Sequence, residues 1–252
     1  MCTEHSLTTS ESISVTRLVI NGAHGKMGTR LVALAGADAR FRIAATIGRA
    51  GVIDGEDALA QRAFDVVVDV SSDDGARSAL DRAQDASSAI LLATTALSAH
   101  TLERARIVSR TVAVMIAPNT SPGIAVLKQL LTTAAALLPD GYDISLIEHH
   151  HAGKRDAPSG TAKALVQALE SAGKSSEKIF KNIAAIRAGD TIGEHSARFS
   201  GPGEIIELTH RATTRDLFVR GALDIARWLT HEKAGMYTIE NMLGLTPDDP
   251  LE

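Results

Sequence analysis

Cysteine is almost absent from this chain of 252 residues: Cys2 is the only one. A single thiol cannot close an intrachain disulfide or supply the paired cysteines of a zinc site. A large excess of charge of either sign is also missing. The formal net charge is -4 and no basic tract occurs, so nothing points to a nucleic-acid partner. No apolar run is long enough to span a bilayer, which argues against a membrane partner. The first fourteen residues are polar and rich in Ser and Thr, without the apolar core of a signal peptide. Residues 1–14 are therefore expected to form a disordered tail on a cytoplasmic protein. Internal repeats and low-complexity linkers are lacking too.

What is present is a regular alternation of elements, in a chain long enough for one large or two modest domains. Strand-like apolar runs fall at 17–20, 41–47, 64–70, 89–93 and 112–116. Helical patterns lie between them, as at 75–83 and 101–109. Such alternation predicts a parallel sheet with helices on both faces. From Ser121 the pattern changes to a long helix through Leu138, a strand near Tyr142 and a helix from Ser159. Strand-like runs at 183–187, 195–200 and 205–210 then follow without helices between them, which predicts an antiparallel or mixed sheet. A helix over 215–229 closes that unit. The expected fold is α/β: a Rossmann-type dinucleotide-binding domain at 15–120, then an α+β substrate-binding and oligomerisation domain at 121–230.

Two segments carry chemistry. The first strand ends in Gly22-Ala23-His24-Gly25-Lys26-Met27-Gly28, after which Met27, Leu31, Leu34 and Ala35 share one helical face. Strand, glycine turn and helix form the context in which glycines let the backbone approach a pyrophosphate and the helix N-terminus favours its charge. The glycines are spaced three apart instead of in the commoner GxGxxG pattern.

The second segment runs Glu148-His149-His150-His151-Ala152-Gly153-Lys154-Arg155-Asp156-Ala157-Pro158-Ser159-Gly160-Thr161. It joins a strand with alternating Tyr142, Ile144 and Leu146 to a helix whose apolar face is Ala162, Leu165, Val166 and Leu169. Loops from a strand end to a helix start are where a rigid scaffold presents reactive groups. The backbone N–H groups of Gly160 and Thr161 are placed to receive a substrate carboxylate. A metal-binding reading of His149, His150 and His151 stays open, although adjacent residues on an extended chain point alternately and seldom share one ion. So do a non-catalytic dinucleotide sensor and another Rossmann-type amino-acid dehydrogenase.

From Arg17 to Leu245 the chain resembles the 4-hydroxy-tetrahydrodipicolinate reductase (dihydrodipicolinate reductase) family of the bacterial and plant lysine pathway. The run from Glu148 to Lys154, with Asp156-Ala157-Pro158-Ser159-Gly160-Thr161, is similar to the family's signature. Further similar blocks are Gly22 to Gly28, Arg187 to His195, Glu207-Leu208-Thr209-His210 and the helix bearing Trp228. The resemblance implies NAD(P)H-dependent reduction of a cyclic imine dicarboxylate to tetrahydrodipicolinate by a homotetramer built through the second domain's sheet. It implies that His150 donates or accepts a proton, that Lys154 is a second proton donor, and that His151, Gly160 and Thr161 contact substrate. It also places cofactor at Gly22, Ala23, His24, Gly25, Lys26 and Met27, with no metal. Residues 231–252 would return to the nucleotide domain. The family's nicotinamide-end residues correspond to Ala93-Thr94-Thr95, where relatives often have Gly-Thr-Thr, and to Ala117-Pro118-Asn119-Thr120, where they often have an aromatic residue at the last position. The segment 174–182 is shorter than in many relatives.

Cofactor preference is read from the residues themselves. NAD-selective sites place a carboxylate about 20 residues beyond the glycine turn to hold the ribose 2′-hydroxyl. Here that position is Gly48, and Arg49 follows with a guanidinium suited to a 2′-phosphate. NADPH is expected to be preferred over NADH.

Overall fold

The computed structural model describes residues 14–175, 179 and 181–245, so residues 1–13 of the expected tail (1–14), part of the shortened loop (176–178 and 180) and residues 246–252 of the segment expected to return lie outside the described residues. Thr16–Asn21 forms β1, whose Leu18, Val19 and Ile20 are fully buried because both faces of a central parallel strand are covered. The turn leads into α1 (Lys26–Gly36), then β2 (Phe41–Gly48), β3 (Gly51–Asp54) and α2 (Glu56–Ala60). Next come β4 (Val66–Asp69), α3 (Asp73–Asp85), β5 (Ala89–Leu92), α4 (Ala99–Val108) and β6 (Ala113–Ile116). Ser72 and Ser98 cap α3 and α4, their hydroxyls accepting from Gly75 N and Thr101 N.

With β11 (Gly235–Tyr237), these strands order as β11-β6-β5-β4-β1-β2-β3, parallel except for β3. The order reverses between β1 and β4. Ligands of open α/β sheets bind in the crevice at the carboxyl ends of strands at such a switch point.

The second unit begins with α5 (Pro122–Leu137), capped by Ser121, and β7 (Asp143–His150). It continues through α6 (Gly160–Ser171), β8 (Ile183–Arg187), β9 (Gly193–Gly201) and β10 (Glu204–Ala212). Its sheet orders as β10-β9-β7-β8, mixed because β7 and β8 are parallel while the other pairs are antiparallel. Leu127, Leu131, Leu146, Leu165, Leu169 and Phe199 form the core between this sheet and α5 and α6.

One assignment differs from the sequence expectation. The helix α7 (Asp216–Leu229) does not close the second unit; it packs on the large sheet beside α1, with Val219, Ala222, Leu223, Ile225, Ala226 and Leu229 in that core. Gly221 permits the close approach, since a Cβ there would lie 1.8 Å from the Thr120 carbonyl oxygen. The chain therefore re-enters the nucleotide unit at about residue 216, before the expected 231, and β11 and α8 (Ile239–Met242) complete it.

Candidate active site

At the end of β1, Gly22 adopts a φ of 89°, and Gly22 N and Ala23 N donate to Ile47 O at 2.8 and 3.0 Å. The turn is thereby locked onto the end of β2. A Cβ on Gly28 would stand 2.0 Å from Gly22 O, so glycine alone lets α1 start this close to the turn. Gly25 is the N-cap and has no side-chain cap, which leaves the first N–H groups of α1 open to an anion. His24, Gly25, Lys26 and Arg49 are exposed around this entrance. A strand end, a tight glycine turn and an uncapped helix start at the switch point fit a dinucleotide pyrophosphate.

Deeper in the crevice, Asp69 at the end of β4 is fully buried. Burial pushes its carboxyl upward, opposed by donors on neighbouring strand ends: Thr94 Oγ1 at 2.6 Å, Asn21 Nδ2 at 2.7 Å and Ser71 Oγ at 2.5 Å. Ser71 N donates in turn to Thr94 Oγ1 at 2.8 Å. Asp69 thus fixes the loop carrying Ala93, Thr94 and Thr95, and Ala93 N is held by Asp69 O at 2.9 Å. Ala117 N donates to Leu92 O at 2.9 Å, which places the 117–120 segment beside that loop. Thr120 was expected to line the nicotinamide end. Its side chain instead turns into the protein, where Oγ1 donates to Phe218 O at 2.6 Å and only 2% of the residue is exposed. Phe218, carried by α7, lines the cavity shared with Asn119 and His150.

The two halves meet at Asn119, whose Nδ2 donates to Thr161 Oγ1 at 2.9 Å. Asn119, Thr161, Gly193, His150, His195, His210 and Phe218 line one cavity of about 40 Å³. The sequence-predicted cofactor segment and the substrate loop therefore converge on the same space. Ser159 caps α6 by accepting from Ala162 N at 3.1 Å, so Gly160 and Thr161 open that helix.

The histidine run follows the alternation of β7. His150 points inward and is 8% exposed; His149 leaves by the other face, its Nε2 lying 3.2 Å from Ala188 O. His151 falls in the loop, its ring against Gly153. On the inner face the Glu148 carboxylate accepts the Nδ1 proton of His150. Glu148 Oε1 also accepts from Arg187 Nη2 at 2.6 Å and from Ser159 N at 3.0 Å. Burial pushes the Glu148 carboxyl up, but Arg187, the Ser159 amide and His150 outweigh it and hold it below the usual carboxylate range. For His150, burial lowers the pKa, Glu148 pulls it back up, and Lys154 and Arg187 lower it again; the net shift is downward. With Nδ1 committed to Glu148, Nε2 is the free nitrogen, beside cavity-lining Gly193.

His195 stands edge-on to His150, with ring centroids 5.1 Å apart. Burial and then the neighbouring His150 depress its pKa to about 4, so it is neutral at physiological pH. Its Nε2 lies 3.2 Å from Ser159 Oγ, while Nδ1 is buried without a partner among the described residues, as is His210 Nδ1. Glu148, His150 and His195 offer donor atoms within 4.8 Å of one another. The guanidinium of Arg187 against the same carboxylate and the nearby Lys154 charge oppose a cation there. Lys154 Nζ pairs with Asp156 Oδ1 at 2.8 Å at the rim. Glu148, Arg187, His195 and Phe218 had no assigned role in the sequence reading. They reach the site through strand register and helix packing, with Arg187 paired opposite His150 and His195 opposite Glu148.

Two family profiles cover nearly all of this architecture: one described as dihydrodipicolinate reductase, N-terminus, matches residues 16–120, and one described as dihydrodipicolinate reductase, C-terminus, matches 123–243. The 4-hydroxy-tetrahydrodipicolinate reductase of Xanthomonas euvesicatoria pv. vesicatoria is 37% identical over 240 residues, covering 91% of this chain and 98% of that protein. The protein of the same name from Stenotrophomonas maltophilia strain R551-3 is 38% identical over 238 residues, covering 90% and 97%. Among solved structures, a dipicolinate-bound dihydrodipicolinate reductase from Paenisporosarcina sp. TG-14 superimposes with a TM-score of 0.78. It is 21% identical and covers 90% of this chain and 99% of that one, a likeness of fold.

Proposed function

This chain belongs to the dihydrodipicolinate reductase family, and on that premise we propose how its residues carry out the reduction of 4-hydroxy-tetrahydrodipicolinate in lysine biosynthesis. The observation that carries the reading is the Asn119–Thr161 hydrogen bond, which joins the dinucleotide crevice to the substrate loop at the cavity holding His150. The dinucleotide supplies a hydride when bound. Gly22, Ala23, His24, Gly25, Lys26 and Met27 hold its pyrophosphate side. Ala93, Thr94, Thr95, Ala117, Pro118 and Asn119 form the wall at its nicotinamide end, with Phe218 in the position first expected of Thr120.

Hydride arriving on a conjugated imine leaves electron density that an acid must quench. His150 is placed for that task, with Glu148 stabilising its imidazolium and directing Nε2 to the cavity. Lys154 neutralises a substrate carboxylate in exchange for Asp156 and is the second proton donor. His151 and the N–H groups of Gly160 and Thr161 bind carboxylate at the start of α6. NADPH is the preferred cofactor and NADH the lesser one, because Gly48 offers no carboxylate and Arg49 stands beside it. The exposed Ile186 and Ile205, both on the face of the second sheet turned away from α5 and α6, support a homotetramer assembled through that face. A cytoplasmic location belongs to the same proposal and rests on the family.

The test is oxidation of NADPH by the purified protein in the presence of freshly generated 4-hydroxy-tetrahydrodipicolinate. Turnover with NADPH exceeding that with NADH supports the reading. A folded protein without turnover on either cofactor refutes it.

A further inference from the structure

Resting on the NADPH reading above, we propose that His24 is a specificity-determining residue whose imidazole joins Arg49 in receiving the 2′-phosphate of the dinucleotide. The glycine turn is tied to the end of β2 by the bonds from Gly22 N and Ala23 N to Ile47 O. That tie sets the His24 ring over Gly48. A Cβ built on Gly48 would lie 3.2 Å from His24 Nδ1 and 3.1 Å from Ile53 Cδ1.

Position 48 is where an NAD-selective site extends a carboxylate to the ribose 2′-hydroxyl. Here the space such a side chain would enter is filled by a ring nitrogen on one side and an isoleucine methyl on the other. The chain has thus replaced an acceptor for a hydroxyl with a donor for an anion. His24, Lys26 and Arg49 are all exposed at this entrance, and none has a hydrogen-bond or ion-pair partner among the described residues. The nearest carboxylate of the β2–β3 hairpin, Asp54, is turned to the backbone N–H of Gly55 at 2.8 Å. Two donors, His24 from the turn and Arg49 from the hairpin, suit a phosphate dianion better than either alone. The imidazole can also stack on the adenosine, but only its bonds to phosphate discriminate between the two cofactors.

The test compares the unmodified enzyme with His24→Ala, His24→Arg and Arg49→Ala. Calorimetry gives the dissociation constants of 2′,5′-ADP and 5′-ADP, and steady-state kinetics give kcat/KM for NADPH and NADH. In His24→Ala the preference for 2′,5′-ADP over 5′-ADP is expected to fall about tenfold, and the NADPH:NADH ratio of kcat/KM to fall with it. His24→Arg, which restores a donor to anions, is expected to recover most of both. An unchanged preference in His24→Ala together with a fall in Arg49→Ala overturns the role of His24 and leaves the NADPH reading intact. An unmodified enzyme that favours NADH overturns that reading and this inference with it.

Discussion

Glu148 and His150 stand two residues apart on β7, and the Glu148 carboxylate accepts the Nδ1 proton of His150 while Arg187 braces its other oxygen at 2.6 Å. The alternation of the strand makes the contact possible, since residues two apart share a face. The carboxylate does two things for the imidazole: it fixes the tautomer and favours the protonated form.

Replacing Glu148 with Gln removes the charge that raises the His150 pKa. With His150 as the proposed proton donor, kcat/KM is expected to decline as pH rises through the His150 pKa. In Glu148→Gln that decline is expected at lower pH, with turnover near neutrality reduced about tenfold or more. Arg187 also loses its buried partner, so the melting temperature should fall. A pH–rate profile unchanged from the unmodified enzyme would remove Glu148 from the mechanism.

His195 links the site to stability. Its folded pKa of about 4 lies below the ordinary imidazole value near 6.5, so between these values the unfolded chain binds a proton that the folded one does not. Stability is therefore full above about pH 6.5 and is lost as pH falls toward 4, by about 3 kcal/mol from this residue. Thermal melts across that range should show a falling midpoint that flattens in His195→Gln. An equally steep fall in the variant would assign the loss to other groups.

The glycine turn gives a steric prediction. A Cβ at position 28 would meet Gly22 O at 2.0 Å and Ala23 Cα at 2.7 Å, both backbone atoms that cannot give way cheaply. Gly28→Ala should cost about 3 kcal/mol or displace α1 from the turn, with loss of dinucleotide binding. Tight NADPH binding by a variant as stable as the unmodified chain would show that the turn is looser than described.

The sequence exposed the βα alternation, the glycine turn and the histidine-bearing loop because each is local: periodicity, turn chemistry and motif spacing all act within a few residues. β3 left no signal, since its four residues are all exposed and carry no alternation. The helix α7 has a clear apolar stripe, but periodicity does not say which sheet the stripe will cover; that is set by long-range packing, which places Val219, Leu223 and Ala226 in the core of the large sheet. The partners of His150 were hidden for a similar reason. Arg187 and His195 reach Glu148 only through the register of β8 and β9 against β7. The hydrogen bond from Thr120, expected at the cofactor wall, to Phe218 O was hidden in the same way, because it joins residues far apart in the chain.

Steady-state kinetics of His150→Gln and Lys154→Ala with NADPH and fresh substrate show whether the loop from His150 to Lys154 carries the proposed proton chemistry. His150→Gln is predicted to lower kcat on the order of 10²-fold with little change in KM, because the group acts chiefly in the transition state. Lys154→Ala is predicted to lower kcat and raise KM together, as a substrate carboxylate loses its charge partner. Near-normal kinetics in both folded variants would contradict the account.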